Sequence, residues 1–523
     1  MTEQGSPASE IAAGYASEGA ALELGAVVID GAADTAAAVR LPLATLNRHG
    51  LVAGATGTGK TKTLQLISEQ LSAAGVPVVL ADVKGDLSGL AAAGEPNDKV
   101  AKRAQELGDD WAGTAFPVQF LSLGTGGKGS PIRATITSFG PVLLSKVLGL
   151  NETQESTLGL IFHWADQRGL ALLDTKDLRS VITHLTSDEG KADLKGIGGV
   201  SAATAGVILR ALSNLEAQGG EDFFGEPELD VHDLMRQNDG KGVVTLLELD
   251  NLQSKPALFS TFLMWLLAEL FEELPEEGDL DKPKLVFFFD EAHLLFNDAS
   301  KAFLERIEQT VKLIRSKGVG VFFCTQLPTD IPNNVLSQLG ARIQHALRAF
   351  TPDDQAALAK TVKTYPKTKF YELDTALTSL GIGEAIVTVL SERGAPTPVA
   401  WTRLRPPRSK MGSIGADAVA AAVASSDLHA KYGETIDRES AYEKLAAKVA
   451  APAPEAAPDA PPPPDAPPPP DAPPPPAAPA PEKDDPGFIE SAMKNPAVKS
   501  FMRSAASALG REITRGLFGN RRR

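Results

Sequence analysis

Eight consecutive residues, Gly54, Ala55, Thr56, Gly57, Thr58, Gly59, Lys60 and Thr61, read G-x-x-x-x-G-K-T. This is the spacing of a loop that cradles phosphate, and it follows a short apolar strand and opens a helical pattern, as such a loop requires. Gly57 and Gly59 admit backbone angles and close approaches that a side chain would block. Successive amide N–H groups can then face one concavity, and the following helix adds its N-terminal partial positive charge. Lys60 would bring an ammonium to the β and γ phosphates and Thr61 a hydroxyl to Mg²⁺. Lys62, next along the helix, joins the candidate nucleotide-binding set. The stretch 124–129 (G-T-G-G-K-G) lacks both this spacing and the K-T ending, and reads as a flexible loop.

A phosphate loop alone suits a kinase, a GTPase or a motor. The second element separates them. Residues 285–289 are Leu-Val-Phe-Phe-Phe, and Asp290 and Glu291 follow directly. An acid at the end of a buried strand can hold Mg²⁺ next to Thr61, and a second acid beside it can polarise an attacking water. Asp290 is the candidate metal ligand and Glu291 the candidate base. A small-molecule kinase has no use for such a base beside its Mg²⁺ ligand. No N-K-x-D guanine signature occurs, which favours ATP. A further apolar strand, 319–325, leads into Gln326, a candidate sensor of the γ-phosphate. Cys324, the only cysteine, reads as packing rather than as a nucleophile, and Phe287, Phe288, Phe289, Phe322 and Phe323 read as core.

Elements must hold these groups together. Strands are expected at 51–53, 76–81, 118–123, 243–249, 285–290, 319–325 and 385–390, with helical periods such as 61–74, 257–273 and 301–317 between them. Strands alternating with helices imply an α/β fold, a mostly parallel sheet covered on both faces, in the P-loop NTPase class. Residues 140–240 carry little strand signal and read as a helical insertion. Residues 21–29 suit one or two edge strands within an N-terminal segment, 1–40.

Composition bounds the remainder. The 523 residues carry 43% hydrophobic side chains, a net charge of −15 and no apolar run long enough to span a membrane. The polar N-terminus shows no signal-peptide pattern, so a cytoplasmic protein without an integral membrane segment is expected. One cysteine excludes an intramolecular disulfide framework, and the acidic balance excludes a wholly basic nucleic-acid coat. After a helical extension at 413–450, residues 451–486 form a proline-rich linker. Eighteen of the 38 prolines fall in 452–486, with D-A-P-P-P-P three times. Such a segment favours extended polyproline II and serves as a spacer or a docking site for a proline-binding domain. Residues 487–523 hold eight Lys/Arg against two Glu, and an apolar residue recurs every four positions from Ile489 to Leu517. That pattern suits a basic amphipathic helix that docks on a protein, lies on a membrane surface, or contacts nucleic acid.

With these residues in place the chain resembles the HerA/FtsK superfamily of ring-forming P-loop ATPases, and more closely the bacterial HerA-like proteins of the YjgR type. The matching stretches are 54–61, Ala81 to Asp86, Phe289 to Leu295, 313–320, Thr325-Gln326, Gln338 to Arg348, 406–411 and 505–518. The resemblance implies an ATPase core over 41–412. It also implies a homo-oligomer, with a hexamer favoured and ATP bound between subunits, and double-stranded DNA as the substrate of a translocase or helicase. It places Arg315 as the basic residue that one subunit offers its neighbour's γ-phosphate, with Lys317, Arg342 and Arg348 as rivals. It matches Asp82 to an acidic position near the nucleotide, with Asp86 a turn residue and Arg48 a further basic group in reach. The segment 1–40 is too short for the complete N-terminal β-barrel of the archaeal relatives. A second class of function stays open: an ATP-switched scaffold that docks a protein or membrane partner through 487–523.

Overall fold

The computed structural model describes residues 6–450 apart from 195–197, 218, 250–255, 279, 297–300 and 392. The proline-rich segment and basic tail expected over 451–523 lie outside the described residues.

The chain opens with α1 (Pro7–Ala13) and the antiparallel pair β1 (Ala21–Ile29) and β2 (Ala32–Pro42). Next come β3 (Gly50–Ala53), α2 (Lys60–Ala73), β4 (Val78–Asp82), α3 (Asp98–Leu107), β5 (Val118–Leu123) and β6 (Ser130–Ile132). Five helices follow: α4 (Ile136–Val147), α5 (Glu152–Gln167), α6 (Thr175–Thr186), α7 (Asp188–Asp193) and α8 (Ala202–Ala217). A small hairpin, β7 (Gln237–Asn238) and β8 (Lys241–Gly242), returns the chain to β9 (Val244–Glu248), α9 (Pro256–Glu273) and β10 (Leu285–Phe289). Then come α10 (His293–Phe296), α11 (Lys301–Ile314), β11 (Val319–Thr325), α12 (Asn333–Leu336), β12 (Ala341–Gln344), α13 (Pro352–Val362) and α14 (Leu373–Ser379). The last elements are β13 (Glu384–Thr388), β14 (Ala400–Leu404), α15 (Ala416–Ala424), α16 (Asp427–Tyr432) and α17 (Ala441–Ala450).

Twelve strands make one sheet in the order β2-β1-β14-β13-β12-β3-β11-β10-β4-β9-β5-β6. From β12 to β6 every pairing is parallel, and from β12 to β2 every pairing is antiparallel. The parallel strands are covered on both faces, which is why they read as unbroken apolar runs rather than alternating ones. Alternation persists in where each side chain goes. Leu51, Phe287, Phe289, Val321 and Phe323 join the core packed by α9, α11 and the five-helix insertion. Val52, Phe288, Phe322 and Cys324 face the opposite core, with Leu64, Ile67 and Leu71 of α2. Truncating a buried phenylalanine such as Phe288 to Ala would cost about 3–5 kcal/mol.

The insertion helices start on strong caps. Asn151 and Asp174 each accept from the N3 backbone while the N3 side chain returns a bond to the cap. The segment after β14 crosses back to this side: Arg133 Nη1 donates to Tyr432 O at 2.9 Å, and the Tyr442 N–H donates to Asp177 Oδ1 at 2.8 Å. At the other end β1 and β2 extend the main sheet, so 21–42 is sheet edge and not a separate barrel. Among the described residues no helix is long and apolar enough to cross a membrane.

Candidate nucleotide-binding site

Strand β11 lies between β3 and β10 and runs parallel to both. Its register places Thr325 opposite Ala53 and Phe323 opposite Phe289. The glycine loop that leaves β3 and the acid pair that leaves β10 therefore emerge at the same end of the sheet, about 10 Å apart across two strand spacings. In doubly wound sheets this carboxyl end of the strands is where ligands bind.

The loop is built by its glycines. Gly54, Gly57 and Gly59 have φ of 151°, 82° and 117°, a region L side chains avoid. A Cβ on Gly54 would come within 2.5 Å of His345 Cβ. Gly59 is the left-handed cap from which α2 starts. Backbone bonds fasten the loop to its surroundings: Gly54 N donates to Thr325 O (3.2 Å), Ala55 N to Ala346 O (2.8 Å) and Gly383 N to Thr58 O (3.2 Å). The Thr58 hydroxyl donates to Ala55 O at 2.7 Å. Lys60 Nζ lies within the loop's curve, donating to Gly54 O (2.6 Å) and Ala55 O (3.2 Å). Arg348 Nη2 donates to Thr56 O at 3.2 Å. Thr61 and Lys62 are half-buried on the first turn of α2. Lys62 bonds Gln65 Oε1 (3.2 Å), and its pKa is lowered by burial against the opposing charges of Asp86 and Asp82.

Behind the loop stands His345, which sequence reasoning assigned no role. Its Nε2 is 2.8 Å from the Thr63 hydroxyl. Burial first, and the charge of Lys60 in addition, hold its pKa down to about 4, so the imidazole is neutral. It braces α2 against the strand-to-loop passage after β12 without adding charge next to Lys60.

The acid pair is equally defined. Asp290 is buried, accepts from the Glu291 N–H at 2.9 Å, and has its pKa pushed up to about 6 by burial and by the neighbouring Glu291 charge. Glu291 has φ of 48°, left-handed for a residue with a Cβ. The next N–H, of Ala292, donates to Cys324 O, which ties the acid turn to β11. Cys324 is buried, and its thiol is pushed well up, mainly by burial and then by Asp290. A thiol so disfavoured as thiolate packs and does not attack. Thr61 and Asp290 offer a hydroxyl and a carboxylate, the hard oxygen donors that suit Mg²⁺ when phosphate oxygens complete its shell.

The remaining candidates divide by position. Gln326 is exposed directly after β11, at the same end as the loop and the acids. Asp82 ends β4 on that side, but its carboxylate is engaged: it accepts from Lys84 N (3.1 Å), Gly85 N (2.7 Å) and Leu87 N (2.9 Å). Burial raises its pKa in spite of these bonds. Its geometry shapes the loop that follows β4 rather than offering free oxygens to a nucleotide. Asp82→Ala would strand those donors and lower stability by about 2–4 kcal/mol, read by urea unfolding. Glu248, opposite Asp82 in register, adds a second buried acid that sequence reading passed over. Lys84, also passed over, pairs with Glu291.

Arg315 is exposed just before β11, at the amino end of a seven-residue strand about 23 Å long whose other end carries the loop and the acids. Lys317 lies over the Phe271 ring at 5.1 Å, and Arg342 donates to Thr364 O and Leu336 O. Arg48 corrects the sequence reading. It precedes β3, at the end of the strand away from the phosphate loop, and donates to Ser391 O at 3.2 Å.

Solved structures share this fold. Among curated proteins none matches the chain. Of solved structures, the bacterial conjugative coupling protein TrwB, lacking its first 70 residues, superposes with a TM-score of 0.51 at 16% identity, covering 78% of this chain and 93% of its own. TrwB with a non-hydrolysable ATP analogue gives 0.50 at 15% identity over 76% and 97%. VirB4 of Thermoanaerobacter pseudethanolicus gives 0.45 at 14% identity over 74% and 97%. The family profile described as helicase HerA-like C-terminal matches residues 28–523. The chain therefore belongs to the HerA-like helicase C-terminal family, within the HerA/FtsK-type P-loop ATPases.

Proposed function

We propose that this protein hydrolyses ATP and couples the hydrolysis to movement along double-stranded DNA as a ring-shaped homo-oligomer, with a hexamer favoured. One observation carries the reading: the glycine loop of β3 and the acid pair of β10 converge at one end of β11. Gly54 to Thr61 would wrap the phosphates with backbone N–H groups, and Lys60 would neutralise the β and γ oxygens. Thr61 and Asp290 would hold Mg²⁺, which when bound withdraws charge from the phosphate oxygens. Glu291 would accept a proton from water as its oxygen bonds the γ-phosphorus and the bond to the bridging oxygen breaks, giving ADP and phosphate. Gln326 would sense the γ-phosphate, and Asp82 would shape the loop beside it. TrwB supports the nucleotide reading, having been solved with an ATP analogue.

The position of Arg315 supports assembly. It lies at the far end of β11 from the phosphate loop of its own chain and is exposed, so a second copy could take it up. Arg315→Ala should lower kcat by about 10³-fold with little change in nucleotide affinity. Mixing it with Lys60→Ala subunits should restore part of the turnover, because an intact loop and an intact arginine then meet at some interfaces. No recovery on mixing would remove the arginine from the shared site.

The substrate is tested by measuring ATP turnover with and without linear duplex DNA while particle mass is followed. Stimulation by DNA in a population of closed rings is the expected result, and the stimulation should weaken steeply with salt if Lys and Arg contact phosphates. A monomer whose turnover ignores DNA would defeat the motor reading while leaving ATP hydrolysis standing.

A further inference from the structure

The loop after β4 carries a residue that the hydrolysis scheme above does not use. Asp82 collects the N–H groups of Lys84, Gly85 and Leu87, and Gly85 turns with φ of 70°, so the backbone under Lys84 is pinned. From there Lys84 reaches across to the neighbouring strand and places Nζ 2.7 Å from Glu291 Oε1. The second carboxylate oxygen of Glu291 faces His293 Nδ1 at 3.4 Å. The Glu291 side chain is 12% exposed, that of Lys84 49%. Glu291 is also the residue whose backbone stands in the left-handed region, a conformation costing a side-chain-bearing residue about 1–2 kcal/mol. The charges around the lysine are Asp86 on its own loop and Asp290 and Glu291 from the β10 turn.

Resting on the ATPase reading, we propose that Lys84 is a positioning residue that holds Glu291 out of its productive pose until the γ-phosphate draws the ammonium away. A carboxylate oxygen bonded to an ammonium at 2.7 Å is not offering that lone pair to a water. The pair is strong enough to set an orientation and, with a half-exposed lysine, weak enough to exchange. A nucleotide triphosphate supplies the competing anion, and a diphosphate, one phosphoryl group shorter, does not reach as far. Release of Glu291 would then be tied to ATP rather than to nucleotide in general.

The test uses the full chain and compares Lys84→Met with Lys84→Arg. Steady-state turnover is measured alongside binding of fluorescent ATP and ADP analogues and thermal unfolding. In the ATP-bound protein the ammonium divides between Glu291 and the γ-phosphate, so Lys84→Met should raise basal kcat about five-fold and raise KM for ATP, while leaving ADP affinity unchanged. Lys84→Arg, which keeps the ion pair, should stay near wild type in all three. Lys84→Met combined with Glu291→Gln should be no faster than Glu291→Gln alone, because the gain flows through that carboxylate. The inference is overturned if Lys84→Met leaves kcat and KM unaltered. It is equally overturned if kcat drops with ATP and ADP affinity weakened alike, or if the double variant outruns Glu291→Gln. Wild-type protein that neither binds nor hydrolyses ATP would sink the nucleotide reading itself, and this inference with it. Normal wild-type turnover with an inert Lys84→Met would sink this inference alone.

Discussion

Lys60→Ala is expected to abolish ATP turnover, by about 10²–10³-fold or more, while leaving the fold intact. The ammonium lies inside the curve of the glycine loop, bonded to Gly54 O and Ala55 O, the position from which it would meet the β and γ oxygens. Charge developing on those oxygens in the transition state would lose its fixed counter-charge, whereas the loop keeps its own supports. Gly54, Ala55 and Thr58 are held through Thr325 O, Ala346 O and Gly383 N, none of which involves the lysine. The thermal midpoint should therefore move by no more than a few degrees. Phosphate release assayed beside thermal unfolding decides the matter. Turnover at the wild-type rate in a folded Lys60→Ala protein would end the assignment of this loop to the triphosphate.

The second large effect belongs to Glu291→Gln. The amide keeps the shape and cannot accept the proton of the attacking water, so turnover should fall by about 10²–10⁴-fold with ATP still bound. ATP retained on the protein after rapid gel filtration would show the trapped state. Turnover within a few-fold of wild type would mean that another group activates the water. The same substitution carries a signature at equilibrium. Asp290 has its pKa raised, to about 6, by burial and by the charge of Glu291. A carboxyl with a raised folded-state pKa contributes stability that is complete below its unfolded value near 4 and is lost as pH rises through about 6. A shift of that size corresponds to about 3 kcal/mol by pH 7. Wild-type stability should accordingly decline between pH 4 and 6. In Glu291→Gln the repulsion is gone, Asp290 ionises more readily, and the decline should be shallower. Urea midpoints at the two pH values, compared between the proteins, measure the difference.

Much of the fold was legible because the parallel strands are covered on both faces and so read as apolar runs. The stretch 319–325 is β11 residue for residue, and 118–123 is β5. The expected strand at 76–81 starts later, at Val78, because Pro77 has no N–H to give the ladder. What lacked a run was missed. In β12, Ala-Arg-Ile-Gln, the polar Arg342 and Gln344 alternate with apolar neighbours. Gln344 is nonetheless buried, since the strand lies between β3 and β13. The sequence 124–129, read as a flexible loop, is exposed at Thr125, Gly126 and Lys128 but packed at its two ends: a Cβ on Gly129 would come within 2.2 Å of the Leu121 backbone.

The amino-acid sequence by itself determined the class of chemistry. Glycine spacing, a lysine and a hydroxyl at the head of a helix, and two acids after an apolar strand are local features, and backbone sterics and charge act on them over a few residues. Only the tertiary structure decided which groups meet. Asp82 proved to be a backbone cap, Arg48 fell at the wrong end of β3, His345 came to brace the phosphate loop, and Lys84 came to grip Glu291. Those pairings depend on strand order, with β11 placed between β3 and β10 and β4 on the far side of β10. Strand order is settled by which faces can be buried together across hundreds of residues, and spacing along the chain carries no record of it.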